Sequence, residues 1–296
     1  MRRLLVPFLL AGLSAAIAAR ADDAPAPPPV TPAATKFHLG KLELVALRDA
    51  QFTAKNDGKI FGSDVGPAAV GEVLRAAGQR DDEFTLSINA LVVKSGKRIV
   101  VLDTGIGAGA HGVLQRSLAE AGIARTAVTD VVITHSHFDH TGGLVDASGA
   151  LEFPNATIHL ATPEWAFMQE KGNGALVKAI ASKVKTFEPG KPLVPGVTPV
   201  NLYGHTPGHV GYEITSGKER LLDIGDTAHS SVISLAKPDW KMGFDSDSAA
   251  ATSVRRTTLT RLAKDQELVF APHFPYPGVG HIRASGDGFV WVPGVP

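Results

Sequence analysis

Short apolar stretches, some of them alternating loosely with polar positions, recur along the chain and predict β-strands. They lie at Phe37–Leu47, Leu86–Val93, Lys97–Leu102, Thr157–Leu160, Val197–Tyr203, Gly211–Thr215, Arg220–Ile224 and Glu267–Ala271. The pair Ser95-Gly96 between the second and third stretches predicts a hairpin turn. The β-branched, apolar run Asp130–Thr134 predicts a buried strand.

Longer segments carry the pattern of helices. These are Val113–Ala121, which Gly122 ends, followed by Pro163–Glu170, Ala175–Lys185 and Ser246–Ala263. Because strands precede helices in both halves of the chain, we expect two sheets sandwiched between helical layers. The segment Lys59–Gly78 contains several glycines, and we interpret it as a partly helical flap over a site.

The first 36 residues are expected to lie outside the folded domain. Residues 1–21 have a positive start, an apolar centre and a small-x-small end, as in a secretory signal peptide. Residues 22–36 contain five prolines and little to bury, which predicts a linker. Residues 37–296 would then form one domain in a periplasmic or secreted protein. A stable membrane anchor is not expected, because the apolar stretch is short for a membrane span.

Charge and cysteine content narrow the choice of partners. Removing residues 1–21 takes away three arginines and no acid, which leaves 26 basic and 29 acidic residues and a net charge of −3. No basic patch stands out, so nucleic acid is not an expected partner. The chain has no cysteine, which agrees with export and excludes a disulfide or a thiolate ligand.

The most informative motif is Thr134-His-Ser-His-Phe-Asp-His-Thr-Gly-Gly143, directly after the predicted strand at 130–134. Imidazole and carboxylate side chains bind zinc and similar ions, and His135, His137, Asp139 and His140 fall within six positions. Alternate residues of an extended turn point the same way. We therefore expect His135 and His137 to share one ion while Asp139 and His140 turn toward a second.

Other histidines and an aspartate also follow apolar runs, so they could meet the first motif at one edge of the sheets. His205 and His209 lie in Gly204-His-Thr-Pro-Gly-His209, Asp226 follows Leu221–Gly225, and His273 follows Phe270-Ala-Pro. We interpret His205, Asp226 and His273 as metal ligands and His209 as a hydrogen-bonding or turn residue.

The ordered set of His135-x-His137-x-Asp139-His140, His205, Asp226 and His273 resembles the metallo-β-lactamase superfamily, over essentially all of residues 37–296. That resemblance implies a four-layer αββα sandwich. It also implies that His135, His137 and His205 bind the first metal, that Asp139, His140 and His273 bind the second, and that Asp226 bridges both.

A narrower likeness is to the methyl-parathion-hydrolase branch. It rests on Phe244–Ser248, Phe274–Arg283 and Leu151–Ala156. Members of that branch are secreted or periplasmic hydrolases of phosphotriesters, lactones and aryl esters. They are commonly dimers, which leaves a homodimer open here.

The expected reaction is hydrolysis of an ester-like bond in a small molecule: a phosphotriester, a lactone or an aryl ester. Two divalent ions would share a hydroxide as the nucleophile and polarise the oxygen of the scissile bond. Zinc fits the ligands best, with manganese, cobalt or iron as alternatives. The competing hypotheses are a β-lactamase, which the bridging Asp226 disfavours, a glyoxalase-II-like thioesterase, and a metal-binding module without turnover.

Asp139 and His229 are the residues that we expect to take part in catalysis. Lactonases of the superfamily often carry a tyrosine three residues after the bridging aspartate, where this chain has His229. That difference puts lactone specificity of this kind in doubt and suggests that His229 assists the substrate. Asp103, in an Asp-Thr-Gly loop, is expected to orient a ligand imidazole, and His281 to have a structural role.

Aromatic residues near the motifs are expected to wall an apolar pocket. Phe138, Phe274 and Tyr276 are interpreted in this way, whereas core packing is favoured for Trp165 and Phe61.

Overall fold

The computed structural model describes residues 30–295, in which β-branched and apolar strands build two mixed sheets. The seven strands of the first sheet follow chain order: β1 (Ala34–Leu39), β2 (Leu42–Lys55), β3 (Glu83–Ser95), β4 (Arg98–Leu102), β5 (Asp130–Val132), β6 (Thr157–Ala161) and β7 (Val184–Phe187). Strands β1 to β4 pair antiparallel, and β4 to β7 pair parallel.

The second sheet has six strands in the order β13-β12-β11-β10-β9-β8. Their bounds are β8 (Val197–Asn201), β9 (Val210–Ser216), β10 (Glu219–Asp223), β11 (Leu268–Phe270), β12 (Val279–Ser285) and β13 (Gly288–Pro293). Only β10 and β11 pair parallel. Their carboxyl ends therefore lie side by side, as those of β4 and β5 do in the first sheet.

Helices cover the outer faces of both sheets. They are α1 (Pro67–Ala76), α2 (Leu114–Glu120), α3 (Phe138–Thr141), α4 (Thr162–Lys171), α5 (Gly174–Ile180), α6 (Ile233–Ala236) and α7 (Ser248–Asp265). The longest, α7, begins at Asp247, whose side chain accepts hydrogen bonds from the amides of Ala249 and Ala250. No helix among residues 30–295 is long and apolar enough to cross a membrane.

Three hydrophobic layers hold the sheets and helices together. One lies between the sheets, where Leu44 and Leu91 meet Tyr212 and Ile214. A second packs the first sheet against α2, α4 and α5, and a third packs the second sheet against α7. This succession of helices, sheet, sheet and helices confirms the predicted αββα sandwich.

Some predicted elements have different bounds in the structure. The expected strand Phe37–Leu47 is two antiparallel strands that turn at Gly40, whose φ of 57° suits glycine. The expected helix Ala175–Lys185 ends at Ile180, and β7 begins at Val184 because that segment pairs with β6. The hairpin of β12 and β13 was not predicted at all.

The limits of the domain also differ in detail. Strand β1 begins at Ala34, so regular structure starts three residues before the expected boundary at 37. The predicted signal peptide and most of the predicted linker lie outside the described residues. In the segment 59–78, Phe61, Val70 and Leu74 pack against Phe84 and Met242 in a separate apolar cluster.

Candidate metal centre

All seven predicted ligands lie in loops or in a short helix after the ends of strands, at a single edge of the sandwich. His135 and His137 follow β5, and Asp139 and His140 lie in the short helix α3. His205 lies in the loop between β8 and β9, while Asp226 and His273 follow the parallel pair β10 and β11. The side chains form two groups, of His135, His137, His205 and Asp226 and of Asp139, His140 and His273, with the potential ligand atoms of each group within 4.8 Å of one another.

In the first group, three imidazole nitrogens converge on one point. The Nε2 atom of His135 lies 3.0 Å from Nδ1 of His137, and Nε2 of His205 lies 2.9 Å from the same atom. His135 and His205 are buried, whereas His137 is partly exposed. His137 and its neighbour His135 come from one loop, whereas His205 lies 68 positions after His137 in the chain.

In the second group, Nε2 of His140 lies 3.3 Å from Nε2 of His273. A carboxylate oxygen of Asp139 approaches them at 3.8 Å and 3.5 Å, respectively. The Asp139 side chain is 29% exposed, so it is the member of this group that faces solvent.

Asp226 joins the two groups with its two oxygens. Oδ1 lies 3.2 Å from Nε2 of His140 and 3.1 Å from Nε2 of His273. Oδ2 lies 3.4 Å from Nε2 of His135 and 3.2 Å from Nε2 of His205. The position between the groups is the one that the resemblance implied for a bridging carboxylate.

The outward-facing nitrogens of four ligand histidines meet hydrogen-bond partners. Nδ1 of His135 faces the Thr134 hydroxyl at 3.0 Å, and Nδ1 of His273 faces the carbonyl of Ser87 at 2.8 Å. The other two face carboxylates, with Asp103 2.8 Å from Nδ1 of His140 and Asp245 3.0 Å from Nδ1 of His205. The position of Asp103 agrees with the predicted orienting role; Asp245 was not predicted.

This arrangement fits two divalent cations. A neutral imidazole has one N–H. When the nitrogen that faces away from the ligand group donates this hydrogen to its partner, the nitrogen that faces the group presents a lone pair. The lone pairs of each group then face one another without a hydrogen between them. In addition, Oδ1 of Asp226 is buried and has no hydrogen-bond partner among residues 30–295. Converging imidazole nitrogens and an unpartnered carboxylate oxygen are what ligands arranged around positive charge present.

The titration of these groups describes the site without metal, where protons take the place of the cations. Burial opposes ionisation of Asp226, but the histidines around it, His140 first, hold its pKa well below the usual value. Burial opposes protonation of His205, but its bonds to Asp226 and Asp245 raise its pKa to about 9. Protons therefore balance the carboxylates in the metal-free protein, and cations must displace them.

Glu164, near the start of α4, connects two ligand loops and was missed by the sequence analysis. Its side chain is fully buried. One oxygen accepts hydrogen bonds from the amide and hydroxyl of Ser136, and the other accepts them from the Thr206 hydroxyl and the Gly208 amide. Gly208 packs so closely against α4 that a Cβ atom would lie 2.2 Å from the Glu164 nitrogen.

Two further residues fix the loops beneath the ligands. Asp49 lies at a bulge in β2, and its buried carboxylate accepts the amides of Ile106 and Leu114, so it holds the loop that follows Asp103. The ring of His209 accepts the amide of Asp226 at 3.0 Å, and its other nitrogen faces the carbonyl of Leu202. His209 therefore has the hydrogen-bonding role that was predicted for it.

His229 lies next to the bridging carboxylate. Its Nε2 is 2.9 Å from Oδ2 of Asp226, and its ring stacks on that of His273 with centroids 5.2 Å apart. Burial lowers the pKa of His229 to about 4, so the imidazole is neutral near pH 7. Potential ligand atoms of Asp226, His229 and His273 also lie within 4.8 Å of one another and could form a third ligand group.

A cavity of about 490 Å³ opens directly above Asp226 and His229. The rest of its wall is mostly apolar and consists of Phe52, Leu86, Ile88, Ile106, Ala110, Phe138 and Phe244, with His137, Asp139 and His273 at the base. Phe138 and Phe244 are 60% and 49% exposed, which places them where a substrate could cover them.

Only one of the expected wall aromatics lines this cavity. Phe138 does, whereas Phe274 is buried in the core of the second sheet. The hydroxyl of Tyr276 instead bonds to Thr35, so the prediction for Phe274 and Tyr276 was wrong. Trp165 and Phe61 belong to hydrophobic clusters, as expected. No residue of the expected flap at 59–78 lines the cavity.

The family model described as the metallo-beta-lactamase superfamily matches residues 84–273, more than half of the chain. The chain belongs to the metallo-beta-lactamase superfamily. The match includes all seven proposed ligands and confirms the resemblance at the level of the superfamily. It does not address the narrower methyl-parathion-hydrolase branch.

Two solved structures of this superfamily fold are similar over most of the chain. AidC, a dizinc quorum-quenching lactonase in complex with a product, N-hexanoyl-L-homoserine, is 30% identical with a TM-score of 0.82; the likeness covers 90% of this chain and 98% of AidC. The hydrolase AbOPH is 27% identical with a TM-score of 0.81, over 89% of this chain and 98% of AbOPH.

A curated relative is similar over a shorter region. The atrochrysone carboxyl ACP thioesterase of Passalora fulva is 30% identical over 162 residues, which are 52% of this chain and 42% of the thioesterase. The chain thus spans less than half the length of this relative. The comparisons support a hydrolase with divalent metal in its site.

Proposed function

We propose that this protein is a binuclear metal-dependent hydrolase of ester-like bonds and that lactones or carboxylic esters with an apolar acyl group are its favoured substrates. The observation that carries the proposal is the position of Asp226. It lies between two groups of ligand side chains and at the base of a mostly apolar cavity of about 490 Å³. Such a cavity suits an acyl chain better than a charged or strongly polar substrate.

The chain's own residues define where each ion would be held. His135, His137 and His205 would hold one ion, Asp139, His140 and His273 the other, and Asp226 would contact both. Zinc is the proposed ion, since imidazole and carboxylate ligands suit it. When bound, such a pair activates water near neutral pH and polarises the oxygen of the scissile bond.

Side chains around the ligands would orient the substrate. The neutral His229 has one N–H, directed at Oδ2 of Asp226 at 2.9 Å, and would pass this hydrogen bond to a substrate oxygen once the carboxylate holds the ions, in the place where related lactonases often carry tyrosine. Phe138 and Phe244 flank the cavity and can cover an acyl chain. Their apolar surface also excludes water from the developing charge, which strengthens its interactions with the site.

The similar proteins favour this substrate class over the alternatives. The AidC complex holds an acyl-homoserine product, and the sandwich of AidC covers almost the whole domain described here. A thioester is the second candidate, because the Passalora fulva relative is a thioesterase. Phosphotriesters remain in the proposal through the sequence likeness to the methyl-parathion-hydrolase branch. A β-lactam is disfavoured by the bridging Asp226.

A substrate panel on metal-loaded protein tests the proposal. It contains a six-carbon acyl-homoserine lactone, an aryl ester, a phosphotriester, an acyl thioester and a chromogenic cephalosporin. We expect close to two ions per chain and the largest kcat/KM on the lactone or the aryl ester. Fewer than about one bound ion per chain, or the highest rate on the cephalosporin, would overturn it.

Matched variants identify the site. Asp226→Ala and His273→Ala are expected to lower kcat/KM by about 100-fold or more, because each removes a ligand. His281→Ala is the control, since His281 lies in β12 and contacts the Glu267 carbonyl away from the ligands. Equal activity in all three variants would contradict a binuclear mechanism.

We also propose export, on the strength of the predicted signal peptide at residues 1–21. Cell fractionation and determination of the mature N-terminus test it. An intact Met1 on a cytoplasmic protein would contradict it.

A further inference from the structure

A buried carboxylate and a buried guanidinium lie in line behind His205. Asp245 is in the segment between α6 and α7, and its side chain has no exposed surface. Its Oδ1 accepts the Nδ1–H of His205 at 3.0 Å, and its Oδ2 accepts Nη2–H of Arg255 at 3.0 Å. Asp245 therefore uses one oxygen for the ligand and the other for the arginine.

Arg255 is held rigidly by carbonyl groups of the main chain. It lies on α7 and is only 3% exposed. Nη1 donates to the carbonyls of Pro238 and Trp240 at 3.1 Å and 3.0 Å, and Nε donates to the carbonyl of Thr227 at 2.8 Å. Because three carbonyls fix the guanidinium plane, the position of Nη2 and hence of Asp245 is determined.

The main chain reinforces the same contact. The amide of Ser246 donates to the carbonyl of His205, and the amide of Asp247 donates to the carbonyl of Gly204, both at 2.9 Å. The segment that carries Asp245 is thus attached to the His205 loop on both sides of the imidazole. Its neighbour Phe244 lines the cavity.

The second ligand group has a different arrangement. Asp103 contacts His140 there, but its oxygens otherwise accept the amide and hydroxyl of Thr134 and bond to no arginine among the described residues. Nδ1 of His273 faces the main-chain carbonyl of Ser87 instead of a carboxylate. A change at Asp245 therefore acts on the first group through His205, whereas Arg255 also bonds to the carbonyl of Thr227, next to Asp226.

We propose that Asp245 and Arg255 are positioning residues that fix the His205 imidazole and set the affinity of the ion held by His135, His137 and His205. The inference rests on the binuclear site proposed above. Residues that orient a ligand imidazole typically change metal affinity by about 10–100-fold when they are replaced.

Asp245→Asn is the decisive variant, because asparagine keeps the shape but has one acceptor oxygen. In either orientation of the amide, its NH₂ faces a donor, of His205 or of Arg255. We expect one of two bound ions to dissociate about 10–100-fold more readily, with the other unchanged. The matched control is Asp239→Asn, since Asp239 pairs with the neighbouring Arg256 at an exposed position.

Stepwise affinities are measured by competition with a chromophoric chelator, and cobalt spectra identify the ion that is weakened. In Asp245→Asn loaded with one equivalent of cobalt, the absorption should match that of His135→Ala, which lacks a ligand of the first group, and not that of His273→Ala. A general loss of folding would weaken both ions and lower the melting temperature of the metal-free protein, so it would not produce this pattern.

The outcomes separate the two proposals. If wild type binds two ions and hydrolyses esters while Asp245→Asn retains both affinities within threefold, the positioning role is wrong. Equal weakening of both ions would also overturn it. If wild type fails to bind two ions, the proposed function fails instead. Should Asp245→Asn not fold, Arg255→Lys is titrated in the same way, since lysine keeps the charge but cannot reach all four acceptors.

Discussion

Replacing Glu164 by glutamine tests whether one buried carboxylate holds two ligand loops together. Each Glu164 oxygen accepts two hydrogen bonds, at 2.7 Å and 2.5 Å from Ser136, and at 2.7 Å and 3.0 Å from Thr206 and Gly208. Glutamine keeps the length and shape of the side chain, but it presents an NH₂ to one of these two pairs of donors. The substitution therefore breaks the contact to one loop while the other stays intact.

The expected loss of stability follows from the two donors that lose their acceptor. A buried donor without a partner costs about 1–3 kcal/mol, and a hydroxyl can turn to another acceptor more easily than an amide can. We therefore expect Glu164→Gln to lower the free energy of unfolding by about 3 kcal/mol. For a domain of this size, that corresponds to a decrease of about 6–12 °C in melting temperature.

Denaturant unfolding of the metal-free protein measures this loss without a contribution from bound ions. Glu170→Gln is the matched control, because Glu170 lies on the same helix with its side chain 70% exposed. We expect the control to remain within about 0.5 kcal/mol of wild type. A Glu164→Gln protein that is equally close to wild type would refute the idea that this carboxylate holds the loops.

Three further substitutions test the cavity and the fold. His229→Ala is expected to lower kcat by about 10–100-fold with two ions still bound, and an unchanged kcat would exclude a substrate contact. Phe244→Ala should weaken binding of the acyl chain by about 1 kcal/mol, which raises KM about fivefold for a substrate with an eight-carbon chain but not for one with a two-carbon chain. An equal effect on both substrates would contradict the proposed wall. Burial opposes ionisation of Asp130, but bonds to His159 and Arg98 hold its pKa at about 2, below the unfolded value. Its ionised form therefore stabilises the fold above pH 4, and this stabilisation is lost as pH falls toward 2. In urea unfolding, Asp130→Asn should lower the free energy of unfolding by about 2 kcal/mol at pH 7 and by less at pH 3. A loss that does not depend on pH would contradict this.

The clustering of the candidate ligands was predictable because the chemistry of metal binding restricts ligands to few residue types. His205, Asp226 and His273 are each a histidine or an aspartate that follows an apolar run, and strands that end at one edge bring such residues together. The layers were predictable for a similar reason, since the apolar pattern determines which faces are buried. The predicted helix Ala175–Lys185 ran into the first two residues of β7, where pairing with β6 outweighs the local pattern.

The residues that support the ligands left no comparable signal. Glu164 bonds to groups 28 to 44 positions away. Its donors are of two kinds, the amides of Ser136 and Gly208 and the hydroxyls of Ser136 and Thr206, and these would serve any carboxylate equally well. Arg255 and Arg256 are adjacent arginines in one helical pattern, yet one is buried behind His205 and the other forms an exposed pair with Asp239. Only the tertiary arrangement distinguishes them.

Carboxylates concentrate negative charge around the ligand imidazoles, which suits divalent cations. Asp139 and Asp226 lie among the ligand nitrogens, and Asp103 and Asp245 bond directly to ligand imidazoles. In their ionised form these four carboxylates carry a charge equal and opposite to that of two divalent cations, and the Arg255 guanidinium offsets part of it at Asp245. Without ions, protons on His205 and its neighbours must supply the balance, which agrees with its raised pKa of about 9. Arg255 then adds one positive charge behind the first group, so the centre beneath the cavity favours the negative charge that develops on an oxygen as an ester bond is attacked.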